Sequence, residues 1–377
     1  MIDLGVVAGE ASGDLLGAHF FEALKRDHPG LTSAGIAGPR MVEAGVRAIY
    51  PSEKLAVNGY VEVLSHLPEL LWIRARITRH FLGERPRVFV GIDAPDFNFT
   101  LEARLKRAGI PTVHFVSPSI WAWRPERIER IRQAVSHMLV VFPFEEAIYR
   151  DAGIPVSYVG HPLADVIPLE PATAAARAAL GLGDGPVVAL LPGSRLSEVR
   201  RHARLMLEAA MRIRAKEADV RFVLPAASEA ARELIARAAQ GLDLPLTVLA
   251  GRSHEALAAC DVARVASGTA TLEAALFKKP MVITYRVPAL TAHLMRKKAL
   301  LPWIGLPNIL AREFVVPERV QEAATPEALA ADVLAWLGDA ARRAVVGVTF
   351  DALHRDLRQG ASARIAAAIA PYLEAAR

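Results

Sequence analysis

The chain has 377 residues, about two domains at roughly 150 residues each. Lys plus Arg is 45 against 40 for Asp plus Glu, a formal charge of +5, and only eight of the basic residues are Lys, so the excess is nearly all guanidinium and suits anionic, planar or phosphate-bearing partners. A hydrophobic content of 53% excludes disorder, and the single cysteine, Cys260, excludes a disulfide framework and any thiolate-clustered metal site.

The N-terminus has no basic n-region and meets acids at Glu10 and Asp14, so it does not read as a signal peptide. The longest uncharged apolar stretches, Ile110–Trp123 and Ala299–Ala311, are too short to span a bilayer and contain proline. A cytoplasmic chain is expected.

The first predicted strand, Ile2–Ala8, runs into Gly9-Glu10-Ala11-Ser12-Gly13-Asp14 and then a helical pattern over Leu15–Arg26. The turn is neither GxGxxG nor a Walker A loop, so nicotinamide and P-loop readings lose their main support. A ligand turn and a plain strand–helix turn capped by Ser12 or Asp14 fit it equally. Leu64–Leu82 is next, amphipathic and basic. There Leu67, Leu71, Trp72, Ile73, Ile77 and Phe81 accompany Arg74, Arg76 and Arg79. Such a segment either packs one face on a core or docks on anionic lipid.

Val88–Ile92 reads as a buried strand that delivers Asp93 to its end. In open α/β sheets ligands sit beyond the carboxyl ends of strands, and a carboxylate placed there can accept a proton from an attacking alcohol. Pro95 fixes the exit, and Asp96 is expected to cap the next helix. Strands follow at Thr112–Val116, carrying His114, and at Met138–Phe142. His161, in Gly160-His161-Pro162, is expected at a hinge. A domain boundary falls near Pro162–Glu170, where proline-rich text gives way to an Ala-rich helix.

The second half restarts with Val187–Leu191, the turn Pro192-Gly193-Ser194-Arg195 and a long helical pattern over Ser197–Lys216. Backbone N–H groups at a helix N-terminus bind anions, and an arginine there adds bidentate phosphate contacts. Strands at Val220–Leu224 and Leu246–Leu249 precede Ala266-Ser267-Gly268-Thr269-Ala270-Thr271-Leu272-Glu273, where a further strand ends, small polar residues follow and a helix starts. Small residues there leave N–H groups open to a diphosphate, and Glu273, one turn into the helix, can accept from ribose hydroxyls or complement the helix dipole. After strand Met281–Tyr285, the stretch Tyr285–Pro307 again sets apolar residues, Leu300 and Trp303 among them, beside Arg296, Lys297 and Lys298. The text after Thr349 is purely helical.

Strand–helix alternation of this kind predicts an α/β protein of two Rossmann-like, doubly wound domains facing across a cleft. The expected division is 1–165, with C-terminal helices 346–377 packing back on it, and 166–345. No Asp-x-Asp or His-x-x-x-His pair occurs, and the eleven histidines are scattered, so no metal site is expected. With 6% aromatics and no RNP, zinc or helix-turn-helix pattern, no nucleic-acid partner is expected either.

The blocks VAGEASGD at Val7–Asp14, AGPRM at Ala37–Met41, LAVNGYVEVL at Leu55–Leu64, GIDAPDFN at Gly91–Asn98, VSPSIWAWR at Val116–Arg124, LLPGSR at Leu190–Arg195, ASGTATLE at Ala266–Glu273 and LPN at Leu306–Asn308 closely resemble the lipid-A-disaccharide synthases. The resemblance runs over nearly the whole chain. It implies an inverting glycosyltransferase of GT-B type that joins UDP-2,3-diacylglucosamine to 2,3-diacylglucosamine 1-phosphate (lipid X), giving a β-1,6 disaccharide and UDP without a metal or other cofactor.

The resemblance also implies roles. Asp93 falls on the catalytic base and Glu10 on an essential acid of the first loop. Arg195, with Gly193 and Ser194, falls on the donor-phosphate turn. Ser267, Gly268, Thr269 and Glu273 fall on the nucleotide turn, and Asn308 on a polar donor-site position. Leu67, Leu71, Trp72, Arg76 and Trp303 would meet acyl chains or the cytoplasmic face of the inner membrane, making the chain a peripheral protein. Asn58 departs from the family, where an apolar residue is expected. The helical tail offers a surface for a homodimer. Two other functions share these features: a UDP-sugar epimerase of the same fold, and a non-catalytic binder of nucleotide sugars or anionic lipid. The epimerase leaves the basic amphipathic segments unexplained, and the binder has no need of Asp93 at a strand exit.

Overall fold

A computed structural model describes residues 2–9, 11–55 and 60–374. The chain divides into two compact units, one formed by Met1–Asp165 with Leu357–Arg377 and the other by Val166–Asp356.

The first unit is built on seven parallel strands: β1 Leu4–Ala8, β2 Ser33–Ala37, β3 Arg47–Pro51, β4 Val88–Ile92, β5 Thr112–Phe115, β6 His137–Val140 and β7 Val156–Tyr158, in the order β3-β2-β1-β4-β5-β6-β7. β1, β2 and β4 are buried at every position, as expected of strands covered by helices on both faces. Under one face Val7, Ile36, Phe89 and Leu101 pack with Ile73, Ile77 and Phe81 of helix Tyr60–Glu84. The core-facing side of the basic amphipathic segment is therefore Ile73, Ile77 and Phe81. The final helix, Ala361–Glu374, also belongs to this unit, where Asp165 accepts from the backbone N–H groups of Gly360 and Ala361 at 3.0 and 2.6 Å.

The second unit carries six parallel strands: β8 Val187–Leu191, β9 Arg221–Ala226, β10 Leu246–Ala250, β11 Val262–Ala266, β12 Met281–Tyr285 and β13 Glu318–Val320, in the order β10-β9-β8-β11-β12-β13. Helix Leu196–Arg214 turns Val199, Ala203, Met206, Ala210 and Ile213 inward, the i, i+3, i+4 spacing that buries one stripe of a helix.

Each sheet reverses its winding once. In the first unit the reversal lies between β1 and β4, and in the second between β8 and β11. At such a switch point the two neighbouring chain exits diverge to opposite faces and leave a crevice at the carboxyl edge. The expected α/β, doubly wound architecture is thus present in both units. Four strands were not expected: β2, β3, β7 and β13.

Candidate functional site

In the first unit the switch point is flanked by Gly9, after β1, and Asp93, after β4. Asp93 and Ala94 both lie in the left-handed region, with φ of 51° and 45°, and Val116 after the neighbouring β5 has φ 76°. Each such non-glycine residue costs on the order of 1–3 kcal/mol and persists only where its surroundings over-determine it. The surroundings here are specific. The Asp93 N–H donates to the Phe115 carbonyl at 2.9 Å, and the buried Asn98 carboxamide donates to the Asp93 carbonyl at 2.8 Å. Gly9 permits the fit, because a Cβ there would lie 2.6 Å from that of Ala94. The Asp93 side chain is half-buried, and its backbone is fixed by these two hydrogen bonds.

Asp96 does not cap the following helix. The N-cap of helix Pro95–Arg107 is Ala94, whose left-handed conformation starts the helix two residues earlier, and Asp96 is instead exposed and paired with Arg127 at 2.7 Å. Asp14 is no cap for its own helix either. It is buried and accepts from the N–H groups of Gly38, Arg40 and Met41 at 2.9–3.0 Å, which anchors the AGPRM segment. Glu10 and Asn58 lie outside the described residues.

Two buried carboxylates lie near the same edge and were not singled out in the sequence. Glu102 meets His114 at 2.8 Å with both side chains fully buried, and burial pushes the Glu102 carboxyl up. His114 is thus a core histidine on β5. Glu145 accepts from the Trp121 indole N–H at 3.0 Å and from the Phe142 N–H at 3.1 Å. Burial raises it to about 7. Trp121 packs edge-on to Phe142 and Phe144, so the VSPSIWAWR block forms an aromatic wall around this carboxyl. His161, its imidazole pressed down to about 4 by burial, accepts from the Leu163 N–H at 3.2 Å and stays inside the first unit.

In the second unit the two glycine turns meet at the other switch point, since β8 and β11 are neighbours with Leu191 opposite Val265. Gly193 has φ 119° and Gly268 φ 153°, values that favour glycine. A Cβ on Gly268 would meet nothing within 4 Å, so glycine there serves the backbone conformation. Ser194, Arg195 and Thr269 are exposed and Ser267 is half-buried. Arg195 is the N-cap of helix Leu196–Arg214. Its backbone N–H donates to Glu198 at 3.3 Å while its guanidinium projects outward, 54% exposed and 3.9 Å from the same carboxylate. Ser267 donates to the Ile304 carbonyl at 3.1 Å. Helix Thr269–Leu276 starts directly after Gly268, and Glu273 stands one turn in, 3.8 Å from His254, whose pKa the carboxylate raises.

Asn308 is fully buried and its carboxamide is spent within the unit. It donates to Val316 and Glu318 at 2.9 and 2.8 Å and accepts from the Val316 N–H at 3.0 Å. Glu318 also accepts from the N–H groups of Ile304 and Gly305 at 2.9 Å. Asn308 therefore shapes the loop that Ser267 grips.

Among the described residues no group of three His, Cys, Asp or Glu side chains could hold a metal ion, and no helix is long and apolar enough to cross a membrane. Leu67, Leu71 and Trp72 stand on the exposed side of helix Tyr60–Glu84, with Trp72 53% exposed and the Arg76 guanidinium 5.1 Å above its ring. Trp303 is half-buried against Phe314.

The family profile described as lipid-A-disaccharide synthetase matches residues 4–369. The lipid-A-disaccharide synthase of Thiobacillus denitrificans is 91% identical over 372 residues, 99% of this chain and all of the relative. The chain belongs to the lipid-A-disaccharide synthase family. It is a glycosyltransferase of GT-B fold. The glycosyltransferase of kitacinnamycin superposes with a TM-score of 0.63 at 15% identity, covering 98% of each chain. The UDP-GlcNAc 2-epimerase from Neisseria meningitidis gives 0.66 at 11%, covering 98% of this chain and 100% of its own. At such identities these two likenesses establish the fold alone; the synthase family is established by the full-length sequence match.

Proposed function

We propose that the chain transfers the 2,3-diacylglucosaminyl group of UDP-2,3-diacylglucosamine to the 6-hydroxyl of lipid X, releasing UDP and a β-1,6-linked disaccharide 1-phosphate. The observation that carries the donor half is the pairing of two glycine turns at the switch point of the second sheet, each at the N-terminus of a helix and one bearing Arg195. That arrangement accommodates a diphosphate. Glu273 is the ribose carboxylate of this reading, and Asn308 positions the neighbouring loop.

Asp93 takes the proton of the acceptor's 6-hydroxyl. The freed oxygen pair forms the new bond to the anomeric carbon as the bond from that carbon to the UDP oxygen breaks, and UDP leaves with those electrons. Attack opposite the leaving group inverts the centre. Arg195 and the two sets of helix N-terminal N–H groups neutralise the departing charge, the electrostatic role that preorganised donors fill in group transfer. Because the protein supplies these donors itself, turnover should persist in EDTA and gain little from Mg²⁺. Loss on chelation with recovery on adding a divalent ion would overturn this part of the reading. A structure with UDP should hold its diphosphate between Gly193–Arg195 and Ser267–Thr269, and a diphosphate held at residues 9–14 would overturn the donor assignment.

Both substrates are acylated, so the site of action is taken to be the cytoplasmic face of the inner membrane. Exposed Leu67, Leu71 and Trp72 beside Arg76 support docking there through one side of helix Tyr60–Glu84. Binding to anionic vesicles should fall as salt rises, since each basic residue near such a surface contributes about 1 kcal/mol and is screened within a Debye length. A sedimentation assay checks this, and salt-independent binding or none would leave that side of the helix an ordinary solvated face.

A further inference from the structure

His202 is fully buried in the second turn of helix Leu196–Arg214, yet both its ring nitrogens are engaged. Nδ1 lies 3.2 Å from the Pro192 carbonyl, and Nε2 lies 3.0 Å from the backbone N–H of Arg286. A carbonyl can only accept and a backbone N–H can only donate, so the partners settle the tautomer: Nδ1 carries the proton and Nε2 is bare.

Each partner opens a chain exit at the carboxyl edge of the second sheet. Pro192 precedes Gly193–Arg195 after β8, and Arg286 follows β12. From Arg286 the connection continues. Its guanidinium donates to the carbonyls of Gln321 and Ala324 at 3.3 and 2.7 Å, and the Val287 N–H donates to the Gln321 side chain at 3.3 Å. One imidazole therefore ties the turn after β8 to the segments that leave β12 and β13.

We propose that His202 is a positioning residue for the donor-phosphate turn, holding Gly193–Arg195 in its anion-binding form through neutral imidazole hydrogen bonds to Pro192 and Arg286. The proposal rests on the assignment of that turn to the donor diphosphate. It also makes donor binding sensitive to acid. A second proton on the ring would set an N–H against the Arg286 N–H and break the tie.

The groups facing the ring come from every element around it. Glu198 on its own helix favours the proton. Arg264 on β11 opposes it, and desolvation, the largest influence, opposes it too, so the pKa lies below the ordinary 6.5. Tyr285 stacks on the ring at 6.4 Å, and Glu198, Arg195 and Arg201 act on that tyrosine. With the folded value depressed, the tie is complete above about pH 6.5 and is lost as the pH falls through that lower value.

The test is calorimetric titration of UDP into wild type, His202→Gln, His202→Leu and Arg195→Ala, at about pH 8 and in steps down to the lowest pH at which wild type stays folded. Glutamine can donate to Pro192 and accept from Arg286 without titrating. It should bind UDP like wild type at the higher pH and better than wild type at the lower. His202→Leu should weaken UDP about tenfold at the higher pH, the worth of buried hydrogen bonds lost from a shared network. UDP's own titration is common to all variants, so the ratio of Gln variant to wild type is the readout. A ratio that does not change with pH, or a Leu variant that binds normally, overturns the proposal. If His202→Leu fails to fold, the Gln ratio still decides it. Normal binding by Arg195→Ala would instead overturn the donor-site assignment on which the proposal rests.

Discussion

Asp93→Asn should lower kcat by about 10²–10⁴-fold, the usual contribution of a positioned base, while UDP affinity and thermal stability stay near wild type. The backbone explains why this substitution is a clean probe. Asp93 sits at φ 51°, and asparagine occupies the left-handed region as readily as aspartate. Its backbone bonds to Phe115 and Asn98 use no side-chain atom of Asp93, so they survive. The carboxamide keeps the shape and loses only the ability to take the proton. Single-turnover kinetics with saturating donor measures this directly. Near-normal turnover in Asp93→Asn together with abolished turnover in Glu10→Gln would move the base to Glu10, and normal turnover in both would exclude a side-chain base from either position.

Arg195→Ala should weaken donor binding by roughly one to two orders of magnitude, since hydrogen bonds to charged groups contribute about 1.5–3 kcal/mol. The fold should not register the change. The N-cap bond to Glu198 is made by the Arg195 backbone, and the exposed side-chain pair at 3.9 Å is of a kind that adds little stability. The expected signature is a raised KM for the donor, an unchanged melting temperature and an unchanged KM for the acceptor. An unaltered donor KM would contradict the placement of the diphosphate beside this guanidinium.

The central strands were legible in the sequence because burial on both faces demands near-continuous apolar runs, as in Val88–Ile92 and Val187–Leu191. The four missed strands lack such runs. β2 is Ser-Ala-Gly-Ile-Ala, whose small residues read as a turn, β3 has no buried side chain, and β7 and β13 are three residues long and half-exposed. β3, β7 and β13 are also edge strands. The glycine turns and Asp93 were legible for a related reason, since each directly follows a recognisable strand.

What stayed hidden was every partnership across long sequence separation. Asp14 anchors residues more than twenty positions away, Glu145 pairs with Trp121 twenty-four positions away, and His202 reaches Arg286 eighty-four positions away. No local pattern marks these residues, because strand order alone brings their partners near. Asp96 failed as a predicted cap for a local reason. The left-handed Ala94 starts the helix early, a conformation that alanine's identity does not announce.

The central claim is that this chain couples breakage of the UDP–sugar bond to attack by the lipid X hydroxyl. Purified protein incubated with UDP-2,3-diacylglucosamine, with and without lipid X, should release UDP in proportion to disaccharide 1-phosphate formed, and release almost none when lipid X is omitted. UDP release that ignores lipid X, or recovery of the donor with its sugar epimerised and no disaccharide, would contradict the account.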